Sequence, residues 1–222
     1  MTRPDIVARR IGREGQPIAI VDGFHPDPDS LRAAALAARF EAGRHHYPGI
    51  RAALPADYFA RVRPALLPVL RDVLEVAGVE LLDASFSMVT TPVAELGVEQ
   101  RLPHVDAVQP GRIALVHYLS DGGDGTAFFR HRATGFETID TARSPGYLAT
   151  LNAELRADPP EAAYPFDDTA LFERIQHVEA RYNRAVIYRS ALLHSGAIAP
   201  GAALDSDPAT GRLTATAFLA AQ

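Results

Sequence analysis

His104 and Asp106 stand two apart in "RLPHVDAVQPGRIALVHYLSDGGDGTAFFRH", residues 101–131, and an imidazole with a carboxylate at that spacing can bind one metal ion from one face of an extended segment. The pattern alone decides little. Eight histidines and 27 carboxylates in 222 residues supply about one His-x-Asp/Glu by chance. Three occur: His25-Pro26-Asp27, His104-Val105-Asp106 and His177-Val178-Glu179. The first sits at an expected helix start, where Asp27 serves as N-cap and Pro28 occupies the first turn.

A two-histidine, one-carboxylate set leaves coordination positions on iron(II) for a chelating cosubstrate and dioxygen. His194, in "SALLHSGAI", lies at a strand end before glycine and proline. Several strands fit between His104 and His194, about one between His177 and His194, so His104, Asp106 and His194 form the better set. In "GRLTATAFL" Arg212, Thr214 and Thr216 share one strand face. Turned into a barrel, that face suits a dicarboxylic acid; turned outward, it is an ordinary half-exposed strand. Arg130, His131 and Arg132 read as a solvated strand end or an acidic-substrate contact, and His45, His46, Tyr47 and Arg51 as a surface loop or a pocket entrance.

The elements that must position these residues follow from periodicity. Residues 17–24 read as a strand, 29–42 as an alanine-rich helix, and 56–78 as a second helix that Pro64 and Pro68 should kink or divide. From Glu80 the period becomes alternating, with Leu82, Ala84, Phe86 and Met88 on one face. Further strands are expected at 112–120, 125–131, 184–190 and 212–220, and a helix at 144–156 before a proline-rich loop. The reading is one α+β domain over 1–222, with a mainly helical 1–79 packed on one sheet of a β barrel or sandwich formed by 80–222.

Composition narrows the chemistry. With 22 Lys+Arg, 27 Asp+Glu, a formal charge of -5 and no long basic run, nucleic acid is not an expected partner. The absence of cysteine excludes disulfides, thiolate metal sites and cysteine nucleophiles. With neither a signal-like stretch nor about 18 consecutive apolar residues, the expectation is a cytoplasmic protein without a membrane partner.

The order "HVD", "GRIALVHYLSDGGDGTAFF", "SALLHSG", "GRLTATAFL" resembles the 2-oxoglutarate/iron(II)-dependent oxygenases, in particular the prolyl-4-hydroxylase-like branch. The resemblance covers about residues 80–220 and implies a double-stranded β-helix, of jelly-roll or cupin-like form. It implies His104, Asp106 and His194 as Fe(II) ligands. Arg212 would pair with the distal carboxylate of 2-oxoglutarate, Thr214 and Thr216 would be its hydroxyl neighbours, and Tyr118 would reach the same carboxylate. The interval from His194 to Arg212 exceeds the family's, which makes Arg112, Arg130 and Arg189 alternative anchors. The implied reaction consumes O2 and 2-oxoglutarate, releases succinate and CO2, and hydroxylates a small molecule or a peptide or protein side chain. Halogenation is disfavoured because halogenating relatives carry a small residue where Asp106 stands. The alternative is a non-catalytic, cupin-like metal or small-molecule binding protein. A homodimer is compatible with either reading, and segments 43–53 and 143–180 are expected to shape the substrate pocket.

Overall fold

The computed structural model describes residues 3–43, 47–122 and 124–222. His45 and His46 lie outside them. Among the described residues the strands are β1 (Asp5–Ile11), β2 (Gln16–Asp22), β3 (Glu41–Ala42), β4 (Gly49–Ala53), β5 (Val79–Val89), β6 (Arg112–Tyr118), β7 (Gly125–His131), β8 (Phe172–Glu179), β9 (Arg184–Arg189), β10 (His194–Ala197) and β11 (Leu213–Ala221). The helices are α1 (Pro28–Leu36), α2 (Tyr58–Asp72) and α3 (Ser144–Ala157). No helix among these residues is long and apolar enough to cross a membrane.

Among the described residues, two antiparallel sheets face each other, one in the order β1-β2-β9-β6-β11-β5-β4-β3 and the other β10-β7-β8. Strand alternation assigns each side chain a layer. On β6 and β11, Ile113, Leu115, Ala215, Ala217 and Leu219 pack with Leu31, Val62, Leu66 and Leu70 of α1 and α2. The opposite face, with Ala114, Tyr118, Val186 and Tyr188, meets Phe128 and Val178 of the smaller sheet. Tyr147 and Leu151 of α3 cover the outer side of that sheet over Phe129 and Phe172. Each fully buried aromatic or aliphatic side chain contributes roughly 1.5–3 kcal/mol to such layers.

Three expectations change. Residues 1–79, expected to be mainly helical, supply four strands besides α1 and α2, and these extend the larger sheet at both ends. The α2 helix runs through Pro64 and Pro68 without dividing. Both prolines lie off its buried stripe of Val62, Ala65, Leu66, Val69 and Leu70, where carbonyls that lose an amide partner can turn to water. The alternation expected from Leu82 fails there. Asp83 pairs with Phe218 and Leu81 with Leu219, so Leu82 is the extra residue of a bulge and stands 45% exposed.

Candidate metal centre

A cavity of about 660 Å³ opens between the sheets and contains His104, Asp106 and His194 in its wall. Two positions of the backbone are locked together first. His104 and His194 form an isolated antiparallel bridge in which each N–H donates to the other's carbonyl, at 2.8 and 2.9 Å. The bridge continues the edge of β10 and sets the two imidazole centroids 4.6 Å apart. The Asp106 amide donates to the Ser190 carbonyl at 2.9 Å, which holds the carboxylate between the rings. Its Oδ1 lies 3.8 Å from His104 Nε2 and its Oδ2 3.4 Å from His194 Nε2. One donor atom from each of the three residues falls within 4.8 Å of the others.

The protonation pattern fits a cation. The Leu192 carbonyl lies 2.8 Å from His194 Nδ1 and can only accept, so Nδ1 carries the proton and Nε2 keeps its lone pair for the cavity. Burial holds the His194 imidazole down at about 4. His104 is likewise lowered to about 4, by loss of bulk water around the ring and by the adjacent His194, although 53% of its side chain opens to the cavity. Burial raises Asp106 to about 6, against the opposing pull of His104 and Arg51. Two neutral imidazoles and a poorly solvated carboxylate are donors that an ion would relieve.

Arg212 reaches the same cavity although a long segment separates it from His194. That segment loops out and back. Arg32 of α1 donates to the Ala209 carbonyl at 2.6 Å, and the amides of Thr210 and Gly211 close a turn on the Asp207 carbonyl. Arg212 therefore returns beside β10, where a Cβ on Gly196 would stand 3.8 Å from both of its terminal nitrogens. Its Nη2 donates to the Gly125 carbonyl at 2.6 Å. Its Nε is buried without a hydrogen-bond partner, and among the described residues it forms no ion pair.

The other expected residues divide. Thr214 and Thr216 both line the cavity. Thr214 Oγ1 donates to the Ser87 carbonyl at 3.0 Å, which uses its proton. Thr216 Oγ1 shares a 2.8 Å bond with Ser87 Oγ and lies 3.5 Å from the Ser85 carbonyl, a longer bond than that of Thr214. Tyr118 is buried behind the wall, its hydroxyl 2.7 Å from Thr126 Oγ1, and it is Thr126 that faces the cavity. None of Arg112, Arg130 and Arg189 is among the lining residues. Arg130, read as a solvated or substrate-facing residue, is buried and bound to Glu137 and Glu173. His131 is buried against Glu154 and Thr134, and Arg132 pairs with Asp168. Asp27 caps α1 by accepting from the Ser30 amide, as its sequence position implied. From the segments expected to shape the pocket, Tyr47, Pro48, Arg51 and Tyr164 line it. Thr126 and Tyr188 also line it, residues that no short-range motif marks.

In fold the chain is similar to HygX from Streptomyces hygroscopicus. The crystal structure of HygX with nickel, 2-oxoglutarate and hygromycin B bound matches with a TM-score of 0.51 at 12% identity, over 94% of this chain and 84% of that one. Apo HygX gives a TM-score of 0.50 at 14% identity over the same shares. No curated protein matches the sequence. A family profile, that of DUF6445, described as a family of unknown function, matches residues 2–219, and the chain belongs to that family.

Proposed function

We propose that the protein is a non-haem Fe(II)- and 2-oxoglutarate-dependent oxygenase that hydroxylates a substrate bound between the sheets. One observation carries the reading: a two-histidine, one-carboxylate donor set shares its cavity with an arginine that, among the described residues, has a buried, unpartnered Nε and no ion pair. The donor set suits iron(II) and leaves positions for a chelating keto acid and dioxygen. With these bound, the iron supplies oxidative decarboxylation of 2-oxoglutarate to succinate and CO2, coupled to hydroxylation of a C–H bond.

The chain's own residues set the geometry. His104 and His194 offer their ring nitrogens from a shared backbone bridge, and Asp106 offers an oxygen between them. Arg212 presents a guanidinium to the distal carboxylate of the cosubstrate, and Thr216, whose carbonyl contact is the longer of the two threonines', is the hydroxyl better placed to assist it. Tyr118 acts from behind by orienting Thr126. The facing orders β9-β6-β11-β5 and His104-β10-β7-β8 support a double-stranded β-helix, and likeness in fold to HygX, crystallised with 2-oxoglutarate and nickel, supports the same reading.

The test is spectroscopic. Anaerobic protein with iron(II) and 2-oxoglutarate is expected to develop a visible metal-to-ligand charge-transfer band, and admission of oxygen should release succinate. His194→Ala should lose the band, and Arg212→Ala should raise the 2-oxoglutarate concentration needed to form it. Absence of both band and succinate in the wild type would overturn the proposal.

A further inference from the structure

The cavity holds a second guanidinium that the cosubstrate does not require. Arg51 of β4 pairs in register with Ser87 of β5 and lines the same space as His104, Asp106 and Arg212. Its Cζ lies 4.4 Å from the centroid of the Tyr47 ring, and its Nε is buried with no hydrogen-bond partner among the described residues. Its ion pair with Asp83 is a 3.6 Å contact to a side chain 61% exposed. Charge-assisted bonds run at about 2.7–2.9 Å, so Asp83 is a loose counterion at the rim. Arg130 shows the contrast, with Glu137 and Glu173 bound at 2.8 and 2.7 Å.

Tyr47 lies against Arg51, and β5 separates the β4 strand that carries Arg51 from the β11 strand that follows Arg212. The charges of both Arg212 and Arg51, with the Ser87 hydroxyl, act on the Tyr47 phenol against the effect of burial. Arg51 is thus a separate pole of the cavity. With a divalent ion, Asp106, a 2-oxoglutarate dianion and Arg212 in place the formal charges cancel; of the charged side chains left in the wall, Asp83 and Glu99 are exposed to solvent at the rim, and Arg51 is the cation whose Nε is buried. A planar guanidinium, stacked on one face and short of acceptors, is matched by a planar oxyanion. The cavity of about 660 Å³ falls within the range for small-molecule sites, about 300–1,000 Å³.

Resting on the oxygenase reading, we propose that the primary substrate is a small carboxylic acid whose carboxylate docks on Arg51, displacing Asp83 to solvent, while its body extends toward the His104, Asp106 and His194 centre.

The test uses anaerobic protein loaded with iron(II), with and without saturating 2-oxoglutarate. Benzoate and hexanoate, and as controls benzamide and hexanamide, are titrated by calorimetry. The acids should bind at least about tenfold more tightly than the amides, a preference that Arg51→Gln removes and Arg51→Lys reduces. Asp83→Asn should tighten acid binding. The charge-transfer band should show 2-oxoglutarate affinity unchanged within about twofold in Arg51→Gln but weakened about tenfold or more in Arg212→Gln. Equal binding of acids and amides, acid preference retained in Arg51→Gln, or weaker acid binding in Asp83→Asn overturns the proposal. So does equal loss of 2-oxoglutarate binding in Arg51→Gln and Arg212→Gln, which would make Arg51 a cosubstrate anchor. A wild type that prefers acids but gives no band would sink the oxygenase reading alone.

Discussion

His104 and His194 are joined through their main chains before any ion is considered: each donates its amide to the other's carbonyl, at 2.8 and 2.9 Å. Residues 90 apart in sequence thus share one rigid backbone unit, and the site is preorganised without its side chains touching a ligand. Substitution of either ring leaves that unit intact.

Asp106→Asn separates metal binding from folding. The main-chain bond from residue 106 to Ser190 survives, while a carboxyl group that burial pushes up to about 6 is replaced by a neutral amide. In the presence of a chelator the variant should melt at or above the wild-type temperature. Added iron(II) or nickel should raise the melting temperature of the wild type and leave the variant nearly unchanged.

Tyr118→Phe distinguishes a wall residue from a contact. Because the Tyr118 hydroxyl meets Thr126 and does not line the cavity, 2-oxoglutarate affinity should fall by no more than about threefold, whereas Arg212→Ala should cost about tenfold or more. A loss in Tyr118→Phe equal to that in Arg212→Ala would return Tyr118 to direct contact.

Glu137 ties the β1–β2 turn to β7. Its buried carboxylate accepts from the amides of Arg13 and Glu14 and from Arg130. Glu137→Ala leaves Arg130 buried with only Glu173, and urea denaturation should show a loss of about 3–5 kcal/mol. Gly12→Ala should destabilise as well, since Gly12 has φ +67° and a Cβ there would run into the same carboxylate.

His117 supplies a pH dependence. Its Nε2 donates to Asn183 Oδ1 at 3.0 Å, its Nδ1 accepts from the Tyr58 hydroxyl at 3.2 Å, and burial lowers it to about 3. Between pH 6.5 and about 3 only the unfolded chain binds this proton, so stability is lost as pH falls through that window. The stability of the wild type, read from denaturation curves, should therefore fall with acid more steeply than that of His117→Gln, by up to about 1.4 kcal/mol per pH unit.

The sequence revealed most where function depends on local order. That His104, Asp106, His194 and Arg212 meet around one cavity follows from strand alternation and chain order, and α1 is legible because Asp27 and Pro28 mark its start. What stayed hidden depends on distant pairing. The β4 strand is five residues that open on Gly49 just after Tyr47 and Pro48, and it acquires its register from its neighbours β3 and β5. Arg51 therefore looked like a loop residue. The β8 strand, FERIQHVE, has a mostly half-buried pattern that masks alternation, and a bulge at Phe128/Phe129 shifts its pairing with β7. Arg130 misled because nothing local announces Glu137 and Glu173 as its partners.

The β11 strand has one more consequence. Leu213, Ala215, Ala217 and Leu219 belong to the layer under the helices, while Thr214, Thr216 and Phe218 border the cavity. A single strand thus carries two separable jobs: changes at its odd positions should register in a melting curve, and changes at its even positions first in the shape of the cavity.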